Sequence, residues 1–110
     1  MGTVLVAAVG NQNQKPQQKP TPATASAQVA SGKQIYAVQC SVCHFAQSTV
    51  KKIGPGMKGI YLRGKFAGGE KVDDESMRKW IESGGKDMPA FKDSLKPNEV
   101  RDLLAYLHTL

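Results

Sequence analysis

The feature that most constrains this chain of 110 residues is one pentapeptide, Cys40-Ser41-Val42-Cys43-His44. It contains both cysteines of the sequence and one of its two histidines. The Cys-x-x-Cys-His spacing places two thiols and an imidazole on one short helical turn, where all three can reach the same flat group. The pentapeptide therefore predicts a fold that is organised around a bound cofactor.

The cofactor that this spacing favours is haem c. The thiols of Cys40 and Cys43 can each add to a haem vinyl group, and the imidazole of His44 can then bind the iron. Three alternatives compete with this interpretation: a structural zinc site, which needs four Cys or His ligands, a thioredoxin-like redox pair, and a plain disulfide or chance match. The zinc site is weakened because the other histidine, His108, lies far away along the chain. The thioredoxin-like pair is weakened because the sequence shows no alternation of strands and helices.

Composition divides the chain into two parts. Residues 11–30 consist mainly of Gln, Asn, Pro, Thr, Ala and Ser, which predicts a flexible, partly extended linker. Residues 3–9 are apolar, too few to span a bilayer, and resemble the end of a signal-peptide core that lacks its basic start. We therefore expect residues 1–28 to be a disordered signal or anchor remnant plus linker, and residues 29–110 to be the folded domain. In a domain of this size, the burial of side chains alone gives only marginal stability. A haem in the core would add apolar surface for the side chains to pack against.

Helical periodicity dominates the predicted domain, and no strand or internal repeat is evident. A first helix is expected to start at Ser31, with Gln34 reaching back to cap it, and to run into the pentapeptide. Residues 45–72 form a long Gly-rich stretch with one short helix near 58–62. Helices are also predicted from the Asp73-Asp74-Glu75 segment and from Pro97. The residues expected on the buried faces of these last two helices are Met77, Trp80, Ile81, Val100, Leu103, Leu104 and Leu107.

A haem that exchanges electrons without binding small molecules needs a second axial ligand. Met88 is the strongest candidate, because it lies in a loop that Pro89 stiffens and can present its thioether to a ring face. Met57 lies in a Gly-Pro-Gly loop and could also reach the iron, although an apolar filler at the haem edge is the simpler role. Met77 is expected in the core, and His108 on the surface of the last helical turn.

With these motifs in order, the chain resembles the class I c-type cytochromes, in particular the small monohaem bacterial members. The resemblance spans about residues 30–110. It rests on Gly32, Tyr36, Cys40-Ser41-Val42-Cys43-His44, Gly54-Pro55-Gly56-Met57-Lys58-Gly59, Met88-Pro89-Ala90-Phe91, Leu103 and Tyr106. It implies an all-α cytochrome c fold, in which three to four helices wrap around one covalently bound haem. It also implies that the N- and C-terminal helices cross at Gly32.

The resemblance implies a set of cofactor-binding residues. Cys40 and Cys43 would form thioethers, and His44 and Met88 would ligate the iron. The Pro55 carbonyl would accept a hydrogen bond from the other nitrogen of His44. Met57 stands where the family usually has Leu, so a second thioether is expected near the haem. The indole N–H of Trp80 would reach a haem propionate or, equally well, Trp80 would pack in the core.

The function expected from these features is that of a one-electron carrier, not an enzyme, in the periplasm or otherwise outside the cytoplasm and either free or anchored to a membrane. Its partners would be redox proteins, a reductase and an oxidase or dehydrogenase. The net charge of +6 suits an acidic docking partner, and no Arg-rich run suggests nucleic acid. Lysines that flank the predicted haem loops could dock there: Lys51, Lys52, Lys58, Lys86 and Lys92. We expect a monomer.

Two other functions stay open. The first is a haem domain of a larger membrane or enzyme complex, held by a membrane tether upstream of residue 1. The second is a ligand-binding haem protein with an open sixth coordination site, which Met88 argues against.

Overall fold

The computed structural model describes Gly2 and residues 21–110. These residues form four α-helices: α1 (Pro22–Gln39), α2 (Ile60–Arg63), α3 (Asp74–Ser83) and α4 (Pro97–Leu107). The same residues contain no strand, and an isolated antiparallel bridge between Lys65 and Lys71 closes a turn. The predicted all-α class is confirmed. None of the described helices has both the length and the hydropathy that a bilayer crossing requires.

Helix α1 begins at Pro22, so the predicted start at Ser31 was wrong. The Thr21 hydroxyl accepts a hydrogen bond from the Thr24 backbone N–H at 3.2 Å, and Pro22 occupies the first turn, where its missing N–H costs nothing. Residues 22–30, expected in a flexible linker, are therefore helical. The apolar residues 3–9 and residues 11–20 of the expected linker lie outside the described part. The domain boundary at residue 29 stays a prediction.

Helices α1 and α4 cross at Gly32, as expected. A Cβ atom at position 32 would clash with the backbone carbonyl of Asp102 and with the Cβ of Tyr106. Beside this contact, the rings of Tyr36 and Tyr106 meet edge to face with centroids 5.4 Å apart. The Tyr36 hydroxyl also donates a hydrogen bond to the His44 carbonyl at 3.1 Å. The crossing is therefore tied directly to the Cys-x-x-Cys-His turn.

The core lies between α4 and the helices packed against it. Helix α4 starts at Pro97, and the Glu99 carboxylate accepts a hydrogen bond from the Lys96 backbone N–H at 2.8 Å. The predicted apolar stripe of α4 is confirmed, since all four of its residues are buried: Val100, Leu103, Leu104 and Leu107.

Helix α3 is capped by a reciprocal pair. The Asp73 carboxylate accepts a hydrogen bond from the Ser76 backbone N–H at 2.7 Å, and the Ser76 hydroxyl accepts one from the Asp73 backbone N–H at 2.9 Å. Met77 and Ile81 are buried, but Trp80 is 36% exposed, so its predicted place on the buried face was wrong. Its indole N–H donates a hydrogen bond to the Glu70 carboxylate at the edge of the core.

Candidate functional site

A cavity of about 670 Å³ lies between the end of α1, the Gly-rich loop, α3, the Met88 loop and α4. Every residue predicted at the site lines this cavity: Cys40, Cys43, His44, Pro55, Met57, Trp80 and Met88. Met77 lines it too, and it is buried in the core as predicted. The tertiary structure thus joins segments as far apart in the sequence as Tyr36 and Leu107.

The Cys-x-x-Cys-His turn continues directly from α1. The Cys40 N–H still donates to the Tyr36 carbonyl at 2.9 Å, and the N–H groups of Cys43 and His44 both donate to the Cys40 carbonyl at 3.0 Å. These bonds close one tight turn that carries both thiols and the imidazole. The two cysteines are free thiols rather than a disulfide.

The environment of these thiols does not favour thiol redox chemistry. Burial, and secondarily the nearby Cys43, raises the pKa of the Cys40 thiol to about 12. A reactive cysteine needs a lowered pKa, because the thiolate is the nucleophile. In the part of the chain that the structure describes, no group of three or more Cys, His, Asp or Glu side chains could hold a metal ion. The thioredoxin-like and zinc alternatives therefore lack support.

The imidazole of His44 is fixed by the Gly54-Pro55 segment. Its Nδ1 lies 2.7 Å from the Pro55 carbonyl oxygen, so Nδ1 carries a proton, and in the neutral imidazole Nε2 is then the unprotonated nitrogen. The Gly54 N–H donates to the Cys43 carbonyl at 2.7 Å, and a Cβ atom on Gly54 would clash with the imidazole ring. Glycine is needed here because the backbone passes directly over the ring.

Met57 extends the same wall of the cavity. Its N–H donates to the Phe45 carbonyl at 2.8 Å, and its side chain is buried. The Arg63 guanidinium on α2 donates to the Gly56 carbonyl at 2.7 Å, which holds the loop from the other side. Met57 and Pro55 thus line the cavity from the same loop, two positions apart.

Met88 comes from a separate loop that starts where α3 ends. Gly84 ends the helix with a φ of 66°, and a Cβ atom there would meet the backbone of Met88 and Pro89. The Gly85 N–H donates to the Met88 carbonyl at 2.9 Å, and the Phe91 N–H donates to the Ile81 carbonyl at 2.9 Å. The loop is therefore tied down on both sides of Met88.

Trp80 lies at the rim of the cavity. Its Nε1–H donates to the Glu70 carboxylate at 3.2 Å, and its ring centroid lies 6.1 Å from that of Phe66. The indole donor, expected to reach a propionate or to be buried in the core, is thus taken up by a protein carboxylate.

His108 lies elsewhere, beside Asp74 and Tyr61. Its Nε2 is 2.7 Å from Asp74 Oδ1, the oxygen to which the Tyr61 hydroxyl donates at 2.8 Å. The His108 and Tyr61 rings stack with centroids 3.6 Å apart. The side chain lines a different surface groove, so it does not compete as a ligand in the cavity.

The cavity suits a haem in size and in its chemistry. Its volume is within the range of about 300–1,000 Å³ that small-molecule and cofactor sites occupy. Thiols and an imidazole lie on one wall, a thioether comes from another loop, and the lining includes Ile60, Phe91 and Leu103. Four cations and two acids also line it, a balance that suits an anionic propionate edge: Lys51, Arg63, Lys65, Lys86, Glu70 and Asp87.

Among the lining residues that sequence reasoning did not place at this site are Arg63, Phe66 and Glu70. Arg63 holds the Gly56 carbonyl, and Glu70 meets Trp80 through a hairpin turn that also carries Phe66. No spacing rule connects these partners, because each pair is formed by the folding of the long Gly-rich stretch. The lack of a regular pattern across residues 45–72 was the available signal that this stretch wraps around something.

The family described as cytochrome c oxidase, cbb3-type, subunit III matches residues 27–107 of the chain. A protein from Nostoc sp. named cytochrome c6-like is 29% identical over 87 residues, which cover 79% of this chain and 75% of that protein. A cytochrome c6 from the same organism is 31% identical over 94 residues, covering 79% of this chain and 74% of the relative.

Proposed function

We propose, because this chain belongs to the family of c-type cytochromes, that it moves single electrons between redox proteins outside the cytoplasm. As a member of that family it is an electron-transfer protein with covalently bound haem c and its iron. The haem supplies the chemistry when bound, by alternating between Fe(II) and Fe(III). The polypeptide supplies attachment, ligation, burial and a docking surface.

Cys40 and Cys43 are proposed as the two thioether positions, with His44 and Met88 as the axial ligands. The observation that carries this assignment is the 2.7 Å contact between His44 Nδ1 and the Pro55 carbonyl. That bond fixes the tautomer and leaves Nε2 available as a ligand on the same turn as both thiols. A thioether from Met88 would complete a His/Met pair, which raises the reduction potential relative to two imidazoles.

Pro55, Met57 and Trp80 are proposed to complete the cofactor environment. Pro55 would orient the imidazole through its carbonyl. Met57 would fill the wall beside His44, a role supported by its burial and by its position next to Pro55 and Gly56. Trp80 would close the rim.

The proposed docking surface surrounds the Cys-x-x-Cys-His turn. Four exposed apolar side chains lie on this turn and on the following loop: Val42, Phe45, Val50 and Ile53. The hydrogen bond between Gly54 and Cys43 folds the end of this loop back against the turn, which brings Ile53 close to it. Exposed Lys51 and Lys86 stand at the cavity rim beside it. An apolar centre with a cationic border suits transient contact with an acidic redox protein.

Lys52 is less suited to docking. Its ammonium donates to the Ser41 carbonyl at 2.9 Å and lies 5.1 Å from the centre of the Phe45 ring. Its contribution is therefore expected to be structural. Lys58 and Lys92 are exposed but do not line the cavity, so Lys51 and Lys86 are the better candidates for electrostatic steering.

A charge reversal tests this surface. Oxidation of the reduced protein by anionic hexacyanoferrate(III) should slow in Lys51→Glu, and oxidation by a cationic cobalt complex should speed up, both effects shrinking at high salt. Lys33→Glu on α1, which has the same change in charge away from the cavity, is the control. Equal effects from both variants would contradict a localised docking surface.

A second candidate function is that of a haem domain in a larger oxidase complex. The matched family description, which names a subunit of a cbb3-type oxidase, favours it. In that case electrons would enter the complex through this domain, and the domain would not diffuse between partners as a free carrier does. Mapping the mature N-terminus in native membranes and in the soluble fraction separates a tethered domain from a free monomeric carrier.

Production of the chain with a haem maturation system tests the main proposal. The intact mass should exceed that of the polypeptide by one haem, and a pyridine haemochrome spectrum should show two thioether links. The reduced protein should not bind carbon monoxide readily, because both axial positions are filled. A mass equal to that of the polypeptide alone would refute the proposal, and ready carbon monoxide binding would indicate the open-site alternative.

A further inference from the structure

We propose that Glu70, held at the cavity rim by the indole of Trp80, lowers the reduction potential of the haem. This inference rests on the proposed function, since it concerns the tuning of the same cofactor. Glu70 and Trp80 both line the cavity, and the Trp80 Nε1–H donates to Glu70 Oε2 at 3.2 Å. Glu70 is exposed, and the hydrogen bond from Trp80 gives its charge a defined position at the rim of the cavity.

The backbone around Glu70 is also fixed. The Phe66 N–H donates to the Glu70 carbonyl at 2.8 Å, and the Val72 N–H donates to the Gly64 carbonyl at 2.8 Å, which closes a hairpin turn. Phe66 in this turn lies beside the Trp80 ring, with centroids 6.1 Å apart. The hairpin and α3 are therefore joined by the Trp80–Glu70 hydrogen bond, by a hydrogen bond of 2.8 Å from the Ser76 hydroxyl to the Lys71 carbonyl, and by the Phe66–Trp80 aromatic contact.

Two glycines leave room for the pair. A Cβ atom on Gly85 would lie 2.5 Å from Trp80 Cζ3, and one on Gly68 would lie 2.7 Å from Glu70 Oε1. Side chains at these positions would displace the indole or the carboxylate. The backbone therefore passes close to Glu70 at Gly68 and close to Trp80 at Gly85.

The direction of the effect follows from charge. Oxidation adds one positive charge to the haem, and a fixed carboxylate nearby stabilises the oxidised form, so the potential falls. Lys51, Lys65 and Lys86 on the same rim oppose this effect from exposed, flexible side chains. Asp87, the other acid on the rim, makes no side-chain hydrogen bond within the described residues, and its charge is less well positioned.

The test is the midpoint potential of the holoprotein. Glu70→Gln should shift the equilibrium constant for reduction about three- to tenfold in favour of Fe(II), which is roughly 30–60 mV for a one-electron couple. The control is Glu75→Gln, which removes the same charge from the first turn of α3 beside the surface groove, and it should shift the potential much less. Glu70→Asp, which keeps the charge, should stay nearer to the wild-type value. The difference should shrink at high ionic strength.

Trp80→Phe tests the positioning role. It removes the indole donor and keeps an aromatic ring, so the potential should rise in the wild-type background and change little in the Glu70→Gln background. An equal shift in both backgrounds, or equal shifts for Glu70→Gln and Glu75→Gln, would overturn the inference. Haem mass and the low-spin spectrum are recorded for each variant. Their loss in the wild-type chain would instead refute the proposed function.

Discussion

Gly32 of α1 lies so close to the backbone carbonyl of Asp102 in α4 that no Cβ atom fits between them. This contact sets the position of α1, whose last turn runs into Cys40 and the Cys-x-x-Cys-His turn. The same crossing buries Tyr36, and the Tyr36 hydroxyl reaches the His44 carbonyl. A helix contact distant in sequence from the predicted ligands therefore determines where those ligands lie.

Gly32→Ala is expected to destabilise the holoprotein by about 1–3 kcal/mol, since the added methyl overpacks the crossing. Helix propensity alone would give the opposite sign, because Ala is favoured over Gly by about 1 kcal/mol in a helix interior. The measurement is denaturant unfolding. Ala30→Gly on the exposed side of α1 is the control and should show the ordinary propensity cost. A Gly32→Ala variant as stable as the wild type would contradict the close contact.

Gly84→Ala should weaken the Met88 loop. Gly84 and Gly69 both have positive φ values, 66° and 92°, so an L side chain is strained at either position, at a cost on the order of 1–3 kcal/mol. Only the Cβ atom at position 84 would also meet the backbone of Met88 and Pro89. Gly84→Ala should therefore lower the thermal midpoint more than Gly69→Ala does, and it should increase carbon monoxide binding to the reduced protein. Similar behaviour of the two variants would mean that the loop does not depend on this contact.

Met88→Ala and Met57→Ala should have different consequences. Loss of Met88 should remove the weak sulfur-to-iron absorption band of the oxidised protein and open the iron to carbon monoxide. Loss of Met57, which is buried, should keep that band and lower the free energy of unfolding by about 2–5 kcal/mol. Visible spectra and denaturant unfolding of both variants give the answer. A band that survives in Met88→Ala and disappears in Met57→Ala would reverse the assignment of the sulfur ligand.

Asp73 should contribute a pH-dependent part of the stability. Its hydrogen bonds with the backbone and side chain of Ser76 lower the pKa of the Asp73 carboxyl below its usual value of 3.8. A lowered folded-state pKa means that the contribution is complete above the unfolded-state pKa and is lost as pH falls through the folded-state value. The thermal midpoint of Asp73→Ala should be below that of the wild type at pH 7, and the difference should narrow on acidification below pH 4.

Asp73→Asn provides the matched control, because it keeps a capping oxygen and removes the titrating group. The gap between Asp73→Asn and Asp73→Ala should therefore stay nearly constant over the same pH range. A gap between the wild type and Asp73→Ala that does not change with pH would contradict the role of the ionised carboxylate.

Several parts of the structure could be predicted because they depend on short-range chemistry. The stripe of α4 follows from apolar residues at helical spacing, and Pro97 and Glu99 indicate its start. The start of α1 was missed because its signals, Thr21 and Pro22, lie in a segment whose composition resembles a linker. The predicted burial of Trp80 was wrong because helical spacing shows only which side of α3 faces the core. Whether a residue at the edge of that side is buried depends on its tertiary contacts, and Trp80 there bonds to Glu70, ten residues away in the sequence.

The sequence by itself determined the chemistry of the site, because two thiols and an imidazole at Cys-x-x-Cys-His spacing lie on one turn whatever surrounds them. It also determined the helical class, through the periodicity of apolar residues. Only the tertiary structure decided which side chains share the cavity, that His108 is absent from it, and that Glu70 meets Trp80. The physical reason is that the wrapping of residues 45–72 depends on hydrogen bonds and close backbone approaches between distant segments, which carry no periodic signal along the chain.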